Sequence, residues 1–389
     1  MEIYFEPIDL SGYDYADKAH RKRLGDVVRA FHAEAAFPEL EGIDIAILGV
    51  NEDRAAVNNK GCAKAPTHIR EYLYRLFEGD FKARIADLGN IRAGDSIKDT
   101  YFAVTEVLQE LISAGIMPVL LGGSQDITFA AYRAYEKLNR IINIVAVDPM
   151  FDLGEKEGDL TAHSYLSKII LNQPNYLFNY TNIGYQTYFV DDEAIQLMEN
   201  LFFDAYRLGQ LRSDLTESEP IIRNADLLTF DISSIRQSDA PGNANASPNG
   251  FYGEEACQLM RYAGMSDKLN SLGIYEMNPE KDRNGQTAHL AAQMIWYFID
   301  GYYRRFKEVP HESQEGYIKY TVPIKDHKED LVFFKSKKSD RWWMQVPVRS
   351  SLRIKFERHY FVPCSYSDYQ TALENEIPER WWRAFQKLM

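Results

Sequence analysis

Acids and amides close four short apolar runs of this 389-residue chain. Met117-Pro118-Val119-Leu120-Leu121 leads into Gly122-Gly123-Ser124-Gln125-Asp126, and the run 141–147 leads into Asp148-Pro149-Met150-Phe151-Asp152. The run 227–230 leads into Asp231-Ile232-Ser233, and the run 272–275 into Glu276-Met277-Asn278-Pro279. One acid after such a run is ordinarily a turn former or a helix cap. Four sets aimed at one region are different, because carboxylates brought together need a cation or a shared proton. Cation capture is the chemistry these residues offer.

The runs have the length and composition of buried parallel strands, and an open parallel sheet binds its ligands at the carboxyl ends of its strands. Further strands are expected at 43–50, 85–88 and 182–184. Helices are expected at 66–77 (with Pro66 in the first turn), 99–114, 127–138 and 287–304. This alternation predicts an α/β body over 41–306 with helices on both faces of the sheet. Before it, residues 1–40 form an N-terminal arm. There Leu24, Val27, Val28 and Phe31 space an amphipathic helix over 17–35.

After residue 306 the texture changes. β-formers at 317–323, 331–334, 342–348 and 352–356 are separated by charged turns, and 367–388 reads as helical with Pro378 interrupting it. Residues 307–389 are thus a C-terminal extension of strands and a helix, wrapped on the body or on a neighbouring subunit. Its pairs Trp342-Trp343 and Trp381-Trp382 read as core or interface residues.

A net charge of −13 argues against a surface made for nucleic acid or anionic lipid. No stretch reaches the ~18 apolar residues of a membrane span. The N-terminus lacks a basic-then-apolar leader, and the cysteines at 62, 257 and 364 build neither a disulfide framework nor a zinc site. A cytoplasmic protein is expected.

The ordered motifs resemble the ureohydrolases: arginase, agmatinase and, most closely, formimidoylglutamase. Asn59-Lys60-Gly61-Cys62-Ala63-Lys64-Ala65-Pro66-Thr67-His68-Ile69-Arg70 is similar to that family's early NxGxxxGPxxIR turn and helix. The loop from Ala240 to Phe251 matches the family's APG…GG loop in length, and its Pro-Asn-Gly-Phe ending is nearer the formimidoylglutamase form. The resemblance implies a three-layer α/β/α arginase-like fold with a mainly parallel central sheet, and a homo-oligomer.

In that family these strand ends hold two manganese ions through the motifs GGDHS, DAHxD and DxD. Carried over by position, Gln125 replaces a histidine, Met150 a histidine and Ser233 an aspartate, while Asp148, Asp152 and Asp231 remain. The resemblance therefore implies at most one divalent cation (Mn, Mg or Ca) on Gln125, Asp148, Asp152 and Asp231, and no two-manganese cluster. Glu276 matches the glutamate that faces a guanidinium or formimino cation. His163, thirteen residues after Met150, lies near the family's proton-transfer histidine. Asn243 and Asn245 are expected to contact substrate. A family member without the binuclear centre follows, acting as a binding or regulatory protein for a small cationic guanidino or formimino ligand. The alternatives are a one-metal hydrolase of a linear amidine C–N bond and a structural interaction protein.

Overall fold

The computed structural model describes residues 1–10, 22–154, 158–308, 310–325, 327 and 329–389. Strands β1 (Phe5–Glu6), β2 (Arg29–Ala30), β3 (Ile45–Val50), β4 (Ile85–Ile91), β5 (Met117–Leu121), β6 (Ile142–Val147), β7 (Leu177–Tyr185), β8 (Asp204–Arg207), β9 (Leu227–Asp231) and β10 (Ser271–Tyr275) form one sheet. Its order is β1-β4-β3-β5-β10-β9-β6-β7-β8, with β2 alongside β4. Every pairing is parallel except β1 with β4. Strands β3, β5, β6, β9 and β10 are buried along their whole length. Helices cover both faces and enclose two hydrophobic cores. This is the three-layer arginase-like α/β architecture.

The order settles the position of the four acid-bearing ends. β5, β10, β9 and β6 are consecutive neighbours, and the register pairs Leu121 with Ile274, Asp231 with Tyr275 and Phe230 with Val147. Residues distant in sequence therefore end side by side.

The amphipathic helix expected at 17–35 does not form over its described part. Only Leu24–Val27 is helical, and Arg29–Ala30 continues as a strand on β4; residues 17–21 lie outside the described residues. Leu24 is fully buried and Val27 and Val28 pack on the same core, so the spacing of the apolar residues reflects burial of an irregular segment.

The C-terminal extension is an antiparallel sheet of β11 (Tyr317–Val322), β12 (Leu331–Ser336), β13 (Trp342–Gln345) and β14 (Phe361–Cys364), followed by helices Tyr366–Leu373 and Glu379–Leu388. Two helices thus stand where one was expected. The strand expected at 352–356 is a turn, and β14 supplies the fourth strand instead. Residues 353–358 carry four charges, whereas Phe361-Val362-Pro363-Cys364 is apolar, and its proline is tolerated because β14 is an edge strand. Trp342, Trp343 and Trp381 lie in the extension's own core, while Trp382 is exposed.

The extension docks on its own body at the amino ends of the strands. Arg358 Nη2 donates to Asp226 Oδ1 at 2.6 Å, and a ring nitrogen of His359 lies 3.2 Å from Ile141 O. Arg223 Nη2 donates to Trp342 O and Cys364 O at 3.2 and 3.4 Å. Residues 141 and 226 immediately precede β6 and β9, so the extension sits opposite the acid-bearing ends.

His359 makes this docking acid-sensitive. It is fully buried, stacked on Phe178 at 4.3 Å, and burial first, then the charges of Lys268, Arg358 and Lys387, hold its pKa well below 6.5. The unfolded chain takes up a proton near 6.5 that the folded protein refuses, so stability present above that pH is lost as pH falls below it. The loss from this residue amounts to up to ~1.4 kcal/mol per pH unit until the depressed folded value is reached. Urea unfolding between pH 7.5 and 5 should show this dependence, and His359→Gln should flatten it. Parallel curves for the two proteins would refute the assignment.

Candidate functional site

The turn after β5 is made by Gly122 and Gly123, both at positive φ. A Cβ on Gly123 would stand 2.9 Å from Glu52 O, so only glycine fits this close approach. The turn delivers Gln125 onto the neighbouring strand end. Gly123 O accepts the backbone N–H of Glu276 at 2.9 Å, and the backbone N–H of Gln125 donates to Glu276 Oε1 at 2.9 Å.

Glu276 is the most fixed group in the site. Its φ is +66°, an uncommon conformation for a residue with a Cβ and a mark of strain of order 1 kcal/mol held by its surroundings. Asn59 holds it: Asn59 Nδ2 donates to Glu276 Oε2 at 2.7 Å and to Glu276 O at 2.8 Å. Asn59 Oδ1 accepts from Ala244 N at 3.0 Å and from Asn278 Nδ2 at 3.2 Å. Asn59 thus ties three distant segments together. In the sequence, Asn59 is marked only by the Asn59-Lys60-Gly61 turn.

Asn243 and Asn245 were expected at the substrate, but their side chains serve the protein itself. Asn243 Nδ2 donates to Glu276 O at 2.7 Å, and its Oδ1 accepts from Asn245 N at 2.6 Å. Asn245 Nδ2 donates to Val57 O at 3.0 Å. They position the loop around Glu276.

Beside Glu276 stand Asp148, Asp152 and Asp231, all buried. Asp148 Oδ1 accepts from Met150 N at 2.8 Å, and Asp231 Oδ1 from Ser233 N at 2.6 Å. Asp148 and Asp152 are close enough that the charge of one acts on the other. Burial pushes Asp148 up to about 6 and Glu276 up to about 7. Burial first, then repulsion from Asp148, holds Asp152 and Asp231 well above the usual carboxylate range. No lysine or arginine is among the groups acting most strongly on these four. Nearby Cys62 is buried and its thiol is pushed far up, so it offers no thiolate.

His163, expected for proton transfer, is half-buried; burial alone lowers its pKa, and its ring makes no hydrogen bond among the described residues.

Whether these residues suit the family's two manganese ions can be tested on their donor atoms. Gln125 Oε1, Asp148 Oδ2 and both carboxylate oxygens of Asp152 are buried without a hydrogen-bond partner. All four are hard oxygen donors, the type that suits one Mg²⁺, Ca²⁺ or Mn²⁺. Their arrangement is less suited: among the described residues no three His, Cys, Asp or Glu side chains stand around a common point as a metal shell. The second ion fits worse, since its positions carry the thioether of Met150 and the hydroxyl of Ser233, which is itself bonded to Asp231. The residues do not fit a two-manganese centre.

The sequence model of the arginase family matches residues 43–300, and the chain belongs to that family. Within it, the chain is formimidoylglutamase-like. It is 26% identical over 269 residues to a formimidoylglutamase of Staphylococcus haemolyticus, covering 66% of this chain and 85% of the relative. It is 25% identical over 305 residues to one of Corynebacterium efficiens, covering 73% and 89%. The fold is shared with formimidoylglutamase from Bacillus subtilis (TM-score 0.67, 17% identity, 77% of this chain and 97% of that one). It is also shared with a Trypanosoma cruzi formiminoglutamase described with Mn²⁺ (TM-score 0.65, 19% identity, 73% and 99%).

Proposed function

We propose that this chain is a cation-binding member of the arginase family whose acid cluster at the carboxyl ends of the strands takes a small guanidino or formimino cation, without two-metal hydrolysis. The observation that carries this reading is the cluster of Glu276, Asp148, Asp152 and Asp231, buried and, among the described residues, in no ion pair with a lysine or arginine, while Met150 and Ser233 occupy two ligand positions. A cation from outside the chain would relieve the mutual repulsion. Glu276, held by Asn59 Nδ2 and Gln125 N, presents a fixed carboxylate to the N–H groups of a planar amidinium. Hydrolysis in this family draws on two ions that together acidify a bound water. One oxygen-bound ion acidifies water less.

The orphaned oxygens of Gln125, Asp148 and Asp152, with the formimidoylglutamase relatives, favour a second reading: hydrolysis of a linear amidine through one metal. Elemental analysis after Mn²⁺ incubation and desalting, with an assay for urea or formamide release, separates the two. The first reading expects no manganese-dependent release. It also expects saturable thermal stabilisation by guanidino or formimino compounds, weakened about tenfold or more in Glu276→Gln, as for loss of a charge-assisted hydrogen bond. Manganese-dependent turnover would overturn it. Absence of both turnover and ligand stabilisation would leave the structural interaction reading.

A further inference from the structure

A cleft of about 320 Å³ opens between the α/β body and the C-terminal sheet, lined by Arg223 and Lys268 of the body and Trp343, Arg358 and Phe361 of the extension. Arg223 and Lys268 lie just before β9 and β10, so the cleft is at the amino ends of the strands, opposite Glu276 and its neighbours. Its size is that of a small-molecule site. The extension creates it, since the family-like body supplies only one side.

Four of the carboxylates around it, Asp226, Glu219, Asp267 and Glu308, are already committed. Buried Asp226 serves two cations, Arg358 at 2.6 Å and Lys268 at 3.7 Å. Glu219 likewise serves Arg223 at 2.9 Å and Arg341 at 3.1 Å. Asp267 accepts the backbone N–H groups of Lys307 and Glu308, each at 3.0 Å. Glu308 accepts the hydroxyls of Ser336 and Ser339. Against these, Arg223 Nη1 and Arg341 Nη2 are buried with no acceptor among the described residues. Arg223 is 4% exposed, and its guanidinium is fixed 4.3 Å from the ring of Trp343. A buried guanidinium N–H without an acceptor calls for a partner from elsewhere.

We propose that this cleft binds a small monocarboxylate with a flat apolar body. The carboxylate meets Arg223 and Arg358, and the flat body lies against Trp343, Phe361 and Pro363. Exposed Glu312 and Glu357 at the rim repel a polyanion and so select a single negative charge. The proposal is independent of the reading of the carboxyl-end acid cluster, which selects a cation.

Calorimetric titration of the full chain with benzoate, benzamide and inorganic phosphate tests it. Benzoate should bind saturably, benzamide about tenfold or more weaker, and phosphate without measurable heat. Benzamidine, a cation, should not compete with benzoate. Arg223→Gln should weaken benzoate about tenfold or more. Because Arg223 also joins body to extension, the exposed variant Glu357→Gln gives a second reading: it should fold normally and tighten benzoate roughly twofold or more. The proposal is overturned by absence of benzoate binding, by benzamide binding equally well, by competition from benzamidine, or by unchanged benzoate affinity in Glu357→Gln.

Discussion

Arg70→Met should cost the protein about 3–5 kcal/mol of stability, because it strands a buried carboxylate. Arg70 lies on helix Ala65–Leu73 and is 1% exposed; its partner Asp87, on β4, is 0% exposed. Arg70 Nε and Nη2 donate to the two oxygens of Asp87 at 2.7 and 2.9 Å, Nη1 donates to Asn90 Oδ1 at 2.6 Å, and Nη2 also reaches Gly89 O at 3.0 Å. Removing the guanidinium leaves Asp87 without its countercharge and two further acceptors short of a donor. The pair itself is weaker evidence for net stability, since two buried charges pay heavily for leaving water. The double variant Arg70→Met/Asp87→Leu should therefore recover part of the loss. Recovery is incomplete because Asp87 also accepts from Tyr74 Oη at 2.5 Å and from Gly89 N at 3.0 Å. Urea unfolding followed by far-UV circular dichroism measures both. A loss below about 1 kcal/mol for Arg70→Met would show that water or rearrangement repairs the site.

Arg70 also marks how far the sequence could be read. Its place in a recognisable motif was visible; its partner, seventeen residues away on a strand, was not, because no local pattern encodes an ion pair across layers. Strands whose apolar runs end in glycine or acid were legible because burial on both faces leaves a continuous hydrophobic signature. Edge strand β8 and its neighbour β7 were not. β8 reads Asp-Ala-Tyr-Arg, and only three of the nine residues of β7 were anticipated, since Asn179, Thr181 and Asn182 interrupt its apolar character. Helices Tyr165–Leu171, Asp192–Asn200 and Gly253–Gly264 also went unread.

The site shows the same division. Strand-end acids were legible because topology fixes where parallel strands end. The second ring of contacts was not: Asn59 meets Glu276 across 217 positions, and Thr229 receives Gln125 Nε2 across 104. Such contacts follow from sheet order, which places β10 between β5 and β9.

That same sheet order keeps the family's frame of strand ends, so on the proposed reading the metal site differs from the family's in side chains alone. Gln125→His/Met150→His/Ser233→Asp should therefore raise bound manganese from at most one ion to about two per chain, since imidazole and carboxylate replace an amide, a thioether and a hydroxyl. Asp148, Asp152 and Asp231 already stand at adjacent strand ends, and the backbone that carries the three replaced residues is fixed by neighbours that the substitutions do not touch. Met150 N is held by Asp148 Oδ1, Ser233 N by Asp231 Oδ1 and Gln125 N by Glu276 Oε1. Adding Asp at 233 adds one more negative charge to four buried acids, so without manganese the triple variant should be less stable than the parent, and with manganese the order should reverse. Thermal midpoints with and without Mn²⁺, alongside elemental analysis, read both effects. A variant that folds but takes up no more metal than the parent would mean that the frame itself has moved, and that the acid cluster around Glu276 is built for an organic cation at the level of backbone as well as side chain.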